Sequence, residues 1–386
     1  MKNFEFYNPV RILFGQGAIG KISAFIPADV PVLFTYGGGS IKRNGVYQQV
    51  AAALEGHRFI EFPGIQPNPA YEQLMPALEL IREHRIGFIL AVGGGSVIDG
   101  SKFIAAAAHY QGEDPWDILL NKAPVVSALP LGAVLTLPAT GTEMNANAVV
   151  TREGLGQKLA FGSPWVMPRF SALDPEVTYS LPKNQIANGV VDAFIHVLEQ
   201  YLTYPSQAEV QDRFAESLLM ILKDTGSKVF ASEEPVYADR ANFMWAATNA
   251  LNSSLSMGVV TDWTTHTLGH ELTALYGLDH AVTLAIILPG VMKVTAERRK
   301  EKMLQYAERI WGITSFDHQA AIDEAIRYTE QFFRCLGIKT RLSEYQIGAE
   351  VIDRVLENLR SRNVARLGNA RDLTIEEVPA ILESRL

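Results

Sequence analysis

The chain has 386 residues, enough for two domains with separate cores, and its 48% hydrophobic and 20% charged residues describe an ordinary soluble protein. A formal net charge of −8 argues against a nucleic-acid partner, because phosphate backbones demand a basic surface. The single cysteine, Cys335, excludes an intrachain disulfide and Cys-based zinc fingers. No run reaches the roughly 20 apolar residues of a membrane span. The longest, from Ala281 to Met292, is shorter and contains Pro289, so no membrane association is expected. The N-terminus lacks the basic-then-apolar layout of a signal peptide, and a cytoplasmic protein is expected.

Up to about residue 180, short apolar runs alternate with helical stretches. Pro31–Tyr36, Phe88–Val92 and Ala133–Leu137 read as buried strands. Val46–Leu54, Ala70–His84 and Val97–Tyr110 read as helices. Such alternation predicts a mostly parallel sheet covered on both faces.

Two of these strands end in the same four residues, Gly37-Gly38-Gly39-Ser40 and Gly93-Gly94-Gly95-Ser96. Glycine brings backbone N–H groups close to an anion, and a helix that follows adds its partial positive end. The second loop runs straight into a predicted helix and is the better candidate for a pyrophosphate. Neither has the G-x-G-x-x-G spacing, so a dinucleotide domain here is a variant of the doubly wound theme. At Gly39 there is no acid to repel a 2′-phosphate; Ser40 can donate, and Lys42 and Arg43 follow. That combination favours NADP(H), although Lys42 and Arg43 also fit a simply solvated surface. A third loop, Thr136-Leu-Pro138-Ala-Thr140-Gly141-Thr142-Glu143, also leaves a predicted strand and offers hydroxyls to a ribose or phosphate.

From Leu181-Pro182 onward the periodicity is helical, over Gln185–Tyr201, Gln207–Phe230, Ala238–Ser256, Thr261–Leu275 and Ile322–Leu336. The predicted organisation is an α/β domain over 1–180 and an all-helical domain over 181–386. In the second half Asp192-x3-His196 and His266-x3-His270 each put two side chains on one helical face, and His280 follows a short loop later. Three of the eight histidines fall in fifteen residues. Imidazole nitrogens with one carboxylate oxygen suit Zn(II) or Fe(II), the expected single divalent metal. Helical histidines also cap helices or satisfy core polar groups, and spacing does not choose between His266 and His270 as the ligand.

Together these features resemble the iron-containing (group III) alcohol dehydrogenase superfamily. The resemblance is carried by Phe14-Gly-x-Gly17-Ala, Gly93-Gly-Gly-Ser-x-x-Asp99, Pro138 through Glu143, Gly189-x-x-Asp192-Ala-x-x-His196-x-x-Glu199, and the fourteen-residue step from His266 to His280. It covers essentially the whole chain and is nearest the bacterial NADPH-dependent aldehyde reductases and butanol dehydrogenases, which are cytoplasmic, commonly homodimeric and broad in the aldehydes they accept. The resemblance implies a Rossmann-like α/β domain followed by an all-α metal-binding domain, as in dehydroquinate synthase. It implies metal ligands at Asp192, His196, His266 and His280, with His270 outside the ligand shell near the nicotinamide. It implies cofactor contacts at Gly37, Gly38, Gly39, Ser40, Gly94, Gly95, Ser96, Asp99, Thr136, Thr140, Asn147 and Lys158, the last at the nicotinamide ribose. Many relatives have aspartate at the position of Gly39, and many have glycine after the last ligand where this chain has Ala281. The branch inclines the metal to zinc.

The expected reaction is reversible hydride transfer between nicotinamide C4 and an aldehyde carbon, with the metal polarising the carbonyl oxygen. His270 is the first candidate proton donor because an imidazole titrates near neutrality. An NAD-dependent polyol dehydrogenase of the glycerol type is the redox alternative. A dehydroquinate-synthase-like lyase would want basic residues for a phosphorylated substrate, and these are sparse around the histidines. A non-enzymatic nucleotide sensor would not need a complete ligand set beside a complete cofactor loop.

Overall fold

The computed structural model describes residues 1–120 and 123–386. They form two compact units that interleave along the chain: Tyr7–Pro182 with Glu233–Thr248, and Met1–Phe6 with Lys183–Ser232 and Asn249–Leu386. The sequence pattern predicts one cut after residue 180. The interleaving arises because one later helix supplies core to the first unit, as its Met244 is fully buried in the α/β core.

In the α/β unit the elements are β1 (Arg11–Phe14), a 3-10 segment Ala18–Phe25, β2 (Val32–Tyr36), α1 (Ser40–Arg43), α2 (Val46–Ala53), β3 (Phe59–Phe62), α3 (Tyr71–Leu74), α4 (Pro76–His84), β4 (Phe88–Gly93), α5 (Gly95–Ala107) and β5 (Leu131–Leu135). A hairpin of β6 (Asn147–Arg152) and β7 (Gln157–Gly162) follows, then β8 (Phe170–Leu173). Six strands form one sheet in the order β1-β8-β5-β4-β2-β3, and every pairing in it is parallel. The central strands β2, β4 and β5 are buried at every position, as a sheet covered on both faces requires. Leu33, Ile89, Ala91 and Leu131 pack on one face against Ile98 and Phe103 of α5. Val32, Phe34, Phe88 and Leu90 pack on the other against Ile19, Ile22, Val46 and Val50.

The single helix expected over Ala70–His84 is two. Pro76 lacks the N–H that would continue α3 and instead sits in the first turn of α4. The strands β1, β3 and β8 and the β6–β7 hairpin add to the three read from the sequence. The first three are only four residues long, too short for a clear period.

The helical unit contains α6 (Lys183–Tyr201), α7 (Glu209–Ala231), the end of α8 (Tyr237–Ala250), α9 (Thr264–Tyr276), α10 (His280–Thr295), α11 (Lys300–Trp311), α12 (His318–Cys335), α13 (Glu350–Ser361) and α14 (Val378–Glu383). One two-residue ladder, β9 (Arg366–Leu367) against β10 (Leu373–Thr374), interrupts the helical pattern. The helix expected over Ala238–Ser256 stops at Ala250, and Ser253 just beyond takes a left-handed φ of 77°. The apolar run around Pro289 forms α10 and is almost wholly buried. Among the described residues no helix is long and apolar enough to cross a membrane.

At Gly132 of β5 an added Cβ would lie 2.4 Å from Phe170 Cζ. Gly132→Ala is therefore expected to destabilise the protein by about 1–3 kcal/mol through overpacking, seen as a lower urea midpoint with an unchanged m-value.

Candidate functional site

Helix α6 is buried along nearly its whole length, which forces Asp192 and His196 inside with their apolar neighbours. One turn apart, they place His196 Nε2 3.6 Å from Asp192 Oδ1. The chain returns to them through α9 and α10. Gly277, at φ 67°, ends α9 in a left-handed turn that L side chains rarely adopt. Asp279 then accepts a hydrogen bond from Asn188 Nδ2 of α6 at 2.9 Å. That contact pins the start of α10, and His280 Nε2 lies 3.7 Å from the same Asp192 Oδ1. Gly269 allows α9 and α10 to approach, since a Cβ there would sit 2.8 Å from Leu284 Cδ2.

His266 completes the group. Its ring centroid is 4.6 Å from that of His196 and 5.3 Å from that of His280. One ligand atom each from Asp192, His196 and His266 fall within 4.8 Å of one another. His270, one turn further, has its ring 5.2 Å from His280 and 6.2 Å from His266.

The sequence motif contains Glu199 but assigns it no role. It lies on α6 beneath His266, is 3% exposed, and accepts N–H bonds from Thr265 (2.6 Å) and His266 (3.1 Å). These are the second and third residues of α9, whose own N-cap position, Trp263, makes no side-chain cap. A carboxylate from another helix thus caps α9 and meets its positive end. Glu199 also bonds His266 Nδ1, which leaves ligation to Nε2. Burial pushes the Glu199 carboxyl up to about 7, opposed by those two N–H groups and by nearby Arg299. The signal for this role is the i, i+3 step from His196 to Glu199 on one face of α6. Trp263 takes a left-handed φ of 76° and sets its ring 5.3 Å from His266 and 6.2 Å from His196.

Asp192, His196 and His266 form a group that fits a divalent cation of the Zn(II) or Fe(II) type; His280, outside that group, stands beside it with Nε2 3.7 Å from Asp192 Oδ1, and the Glu199–His266 pair is the outer support such ligands use.

The glycine loops lie side by side in the α/β unit. Gly37–Ser40 follows β2, Gly94–Ser96 follows β4 and Thr136–Thr140 follows β5, and these three strands are neighbours in the sheet. From β2 the chain goes to β3 on one side and later to β4 on the other, so the first two loops flank the point where strand order reverses, the usual crevice for a nucleotide. Gly39 has φ 86°. Gly95 must lack a side chain because a Cβ would fall 2.6 Å from Thr140 Oγ1. Thr136 N–H is bound to the Gly93 carbonyl at 3.0 Å.

Other expected cofactor residues have internal partners. Asp99 is buried, accepting from Thr142 Oγ1 (2.6 Å) and Val149 N–H (3.0 Å), so both its oxygens serve the protein. Lys102, one turn on and fully buried, donates to Thr142 Oγ1, the carbonyl and side chain of Asn145, and the Asn147 carbonyl at 2.8–3.1 Å. Burial pushes its pKa down to about 8, opposed by Asp99 and Glu143, so it remains an ammonium at neutral pH. Together Asp99 and Lys102 clamp the base of the β6–β7 hairpin, whose far strand carries Lys158. The Lys158 ammonium reaches Asn68 Oδ1 at 2.8 Å, and Asn68 N–H reaches Ser96 Oγ at 3.3 Å, tying the hairpin to the second glycine loop. Asn147 is exposed at the hairpin base. Lys42 is not a simply solvated cation: its ammonium lies 3.1 Å from Glu61 Oε2 and over the rings of Tyr36 and Tyr47. Arg43 is exposed.

This combination of a nucleotide-type sheet and a histidine-rich helical unit matches a known group. The family model for iron-containing alcohol dehydrogenase matches residues 9–175, and that for the C-terminal part of the Fe-containing alcohol dehydrogenase family matches 186–386. The chain belongs to the iron-containing alcohol dehydrogenase family.

Within that family it is 52% identical over 386 residues to the NADPH-dependent aldehyde reductase YqhD of Escherichia coli (strain K12), covering 100% of both chains. NADP-dependent alcohol dehydrogenase 3 of Entamoeba histolytica is 42% identical over 361 residues, 92% of each chain. The crystal structure of E. coli K-12 YqhD matches with a TM-score of 0.98 at 51% identity, over 100% of this chain and 99% of that one. NADH-dependent butanol dehydrogenase A from Thermotoga maritima matches with a TM-score of 0.95 at 36% identity, again over 100% and 99%.

Two substitutions test these assignments. Glu199→Gln would set an amide against the His266 Nδ1–H and weaken the cap on α9; a 10- to 100-fold loss of Zn(II) affinity is expected in a chelator competition. Lys102→Met would leave its carbonyl acceptors and Asp99 without a cation, and is expected to cost about 3–5 kcal/mol in denaturant unfolding.

Proposed function

We propose that this chain is a metal-dependent, NADP(H)-linked alcohol dehydrogenase and aldehyde reductase acting on short- to medium-chain aldehydes. The observation that carries the reading is the convergence of Asp192, His196, His266 and His280 in a chain whose other unit aligns three loops at the strand ends. When bound, a divalent metal lends Lewis acidity toward a carbonyl oxygen, and the dihydronicotinamide lends a hydride.

The remaining work belongs to the protein's own side chains. Asp192 is the one anion among four ligands, so the centre keeps a charge of about +1 and favours the negative charge that grows on the substrate oxygen. Glu199 holds the His266 imidazole in one tautomer and one orientation. His270 delivers a proton to the product oxygen during reduction and takes it back during oxidation; support is its position beside His280, with ring centroids 5.2 Å apart. The N–H groups of Gly94, Gly95 and Ser96 receive the pyrophosphate at the start of α5. Lys158, held by Asn68, donates to the nicotinamide ribose.

NADP(H) is preferred to NAD(H) in this reading. Support comes from the uncharged Gly39 and from the NADPH- and NADP-dependent names borne by the relatives at 52% and 42% identity, against the NADH-dependent name of the 36% neighbour. Zinc is the favoured metal in this reading because the resemblance to the aldehyde-reductase branch inclines it so; the ligand residues themselves suit Zn(II) or Fe(II). A cytoplasmic homodimer completes the reading, and sedimentation checks the assembly.

The deciding measurement is initial-rate kinetics with butanal, using chelated protein reconstituted with Zn(II) or Fe(II) and either NADPH or NADH. Metal-dependent oxidation of NADPH, faster than that of NADH, is expected. Asp192→Ala and His266→Ala should each lose bound metal and turnover together. Full activity in a metal-free sample would overturn the reading.

A further inference from the structure

Three helices carry the ligand set, α6 lies far from α9 and α10 in sequence, and ligand bonds to a cation tolerate errors of only about 0.2 Å. Something must hold the register of α6 against the start of α9. Glu199 does part of this from inside the site. A second tie lies outside it, at Asp262, the residue just before the left-handed Trp263.

Every polar group of Asp262 is engaged. Its N–H donates to the Glu199 carbonyl at 2.8 Å and its carbonyl accepts from Asn369 N–H at 2.7 Å. Its Oδ1 accepts from Thr264 Oγ1 at 2.7 Å and its Oδ2 from Arg299 Nη1 at 2.7 Å. Arg299 is itself 4% exposed. The same Nη1 reaches the Leu202 carbonyl just past the end of α6 at 3.1 Å, and Nη2 reaches both oxygens of Asp372 at 3.1 and 3.2 Å. Tyr204 donates to Asp372 from the other side at 2.6 Å. Gly368, at φ 69°, brings the turn before Asp372 so close that a Cβ would lie 2.1 Å from Asp262 Oδ1. One planar guanidinium therefore joins the end of α6, the threshold of α9 and the C-terminal turn in a geometry that an ammonium cannot reproduce.

We infer that Arg299 is a positioning residue for the metal centre: by clamping Asp262 to the end of α6 it fixes the turn at Trp263 and hence where His266 sits relative to Asp192 and His196. The inference rests on the metal reading of that site given above. Arg299 touches none of the ligand side chains, so its effect is on where the ligands stand and not on their chemistry.

The test uses the full chain, loaded with Zn(II) for affinity by chelator competition and with Co(II) for the visible absorption bands that report ligand geometry. Arg299→Met and Arg299→Lys are compared with Arg298→Ala, which removes contacts to the Asp372 carbonyl and to Glu377 but none to Asp262. Arg299→Met should bind Zn(II) about tenfold or more weakly with altered Co(II) bands, Arg299→Lys should fall between it and the parent, and Arg298→Ala should keep the parent affinity and spectrum even if its melting point drops. Should Arg299→Met fail to fold, the Arg299→Lys affinity and spectrum decide alone. Parent-like affinity and spectra in the Arg299 variants would overturn the inference, as would an equal loss in Arg298→Ala. A parent chain that binds neither metal would overturn the metal reading itself.

Discussion

A single buried carboxylate, that of Glu199, organises the helical unit. It accepts three N–H groups from α9: the backbone of Thr265, the backbone of His266, and the His266 imidazole. Burying a charge is costly unless it is fully hydrogen-bonded, and here the bonds that satisfy the charge also start a helix and orient a ring. With the Asn188–Asp279 contact and the Arg299–Asp262 tie, this carboxylate joins the helices that carry the histidines. With it, α9 begins at a fixed height along α6, and α10 follows through the turn at Gly277.

The α/β unit solves a parallel problem with the opposite sign. Lys102 is a buried cation whose partners are mostly carbonyl oxygens. Its neighbour Asp99 takes the N–H of Val149 on the same hairpin. A helix that begins at a glycine loop therefore also fixes, one and two turns later, the hairpin bearing Lys158. Loop and hairpin are tied to the same helix, α5. In each unit, polar groups buried beneath a candidate site set its shape, and the exposed residues follow.

The sequence exposes some of this and hides the rest for identifiable reasons. Strands β2, β4 and β5 are legible because central parallel strands are apolar on both faces, which no loop imitates. The edge strands β1 and β3, four residues each and only partly buried, leave no such run. The hairpin carries a turn signal, Gly154 and Gly156 between apolar pairs, that short alternation made easy to overlook. Pairs at i, i+4 reveal that Asp192 and His196 share a face, and the helical period does the rest. That His266 stands nearer His196 than His270 does depends on α9's rotation, which is set by Glu199 and not by spacing. Lys42 and Asp99 show the same limit: each stands beside a glycine loop, and its partners in the fold, Glu61 for one and Thr142 and Val149 for the other, are too far along the chain for a local pattern to reveal.

The interleaving of the two units bears on how the protein is made. Residues 233–248 leave the helical unit to place Met244 in the α/β core, Arg240 on the Thr178 carbonyl at 2.9 Å and Thr248 on Glu143 Oε1 at 2.5 Å. On a ribosome the sheet can assemble from its own strands, but the buried Glu143 lacks the Thr248 hydroxyl donor until the chain has grown past Thr248. Vectorial synthesis, which usually lets a first domain finish before the second emerges, here leaves the first open until much of the second is in hand. Neither half can then be excised as one contiguous fragment with its core intact, and truncation libraries cut near residue 180 would yield an α/β piece with a missing wall.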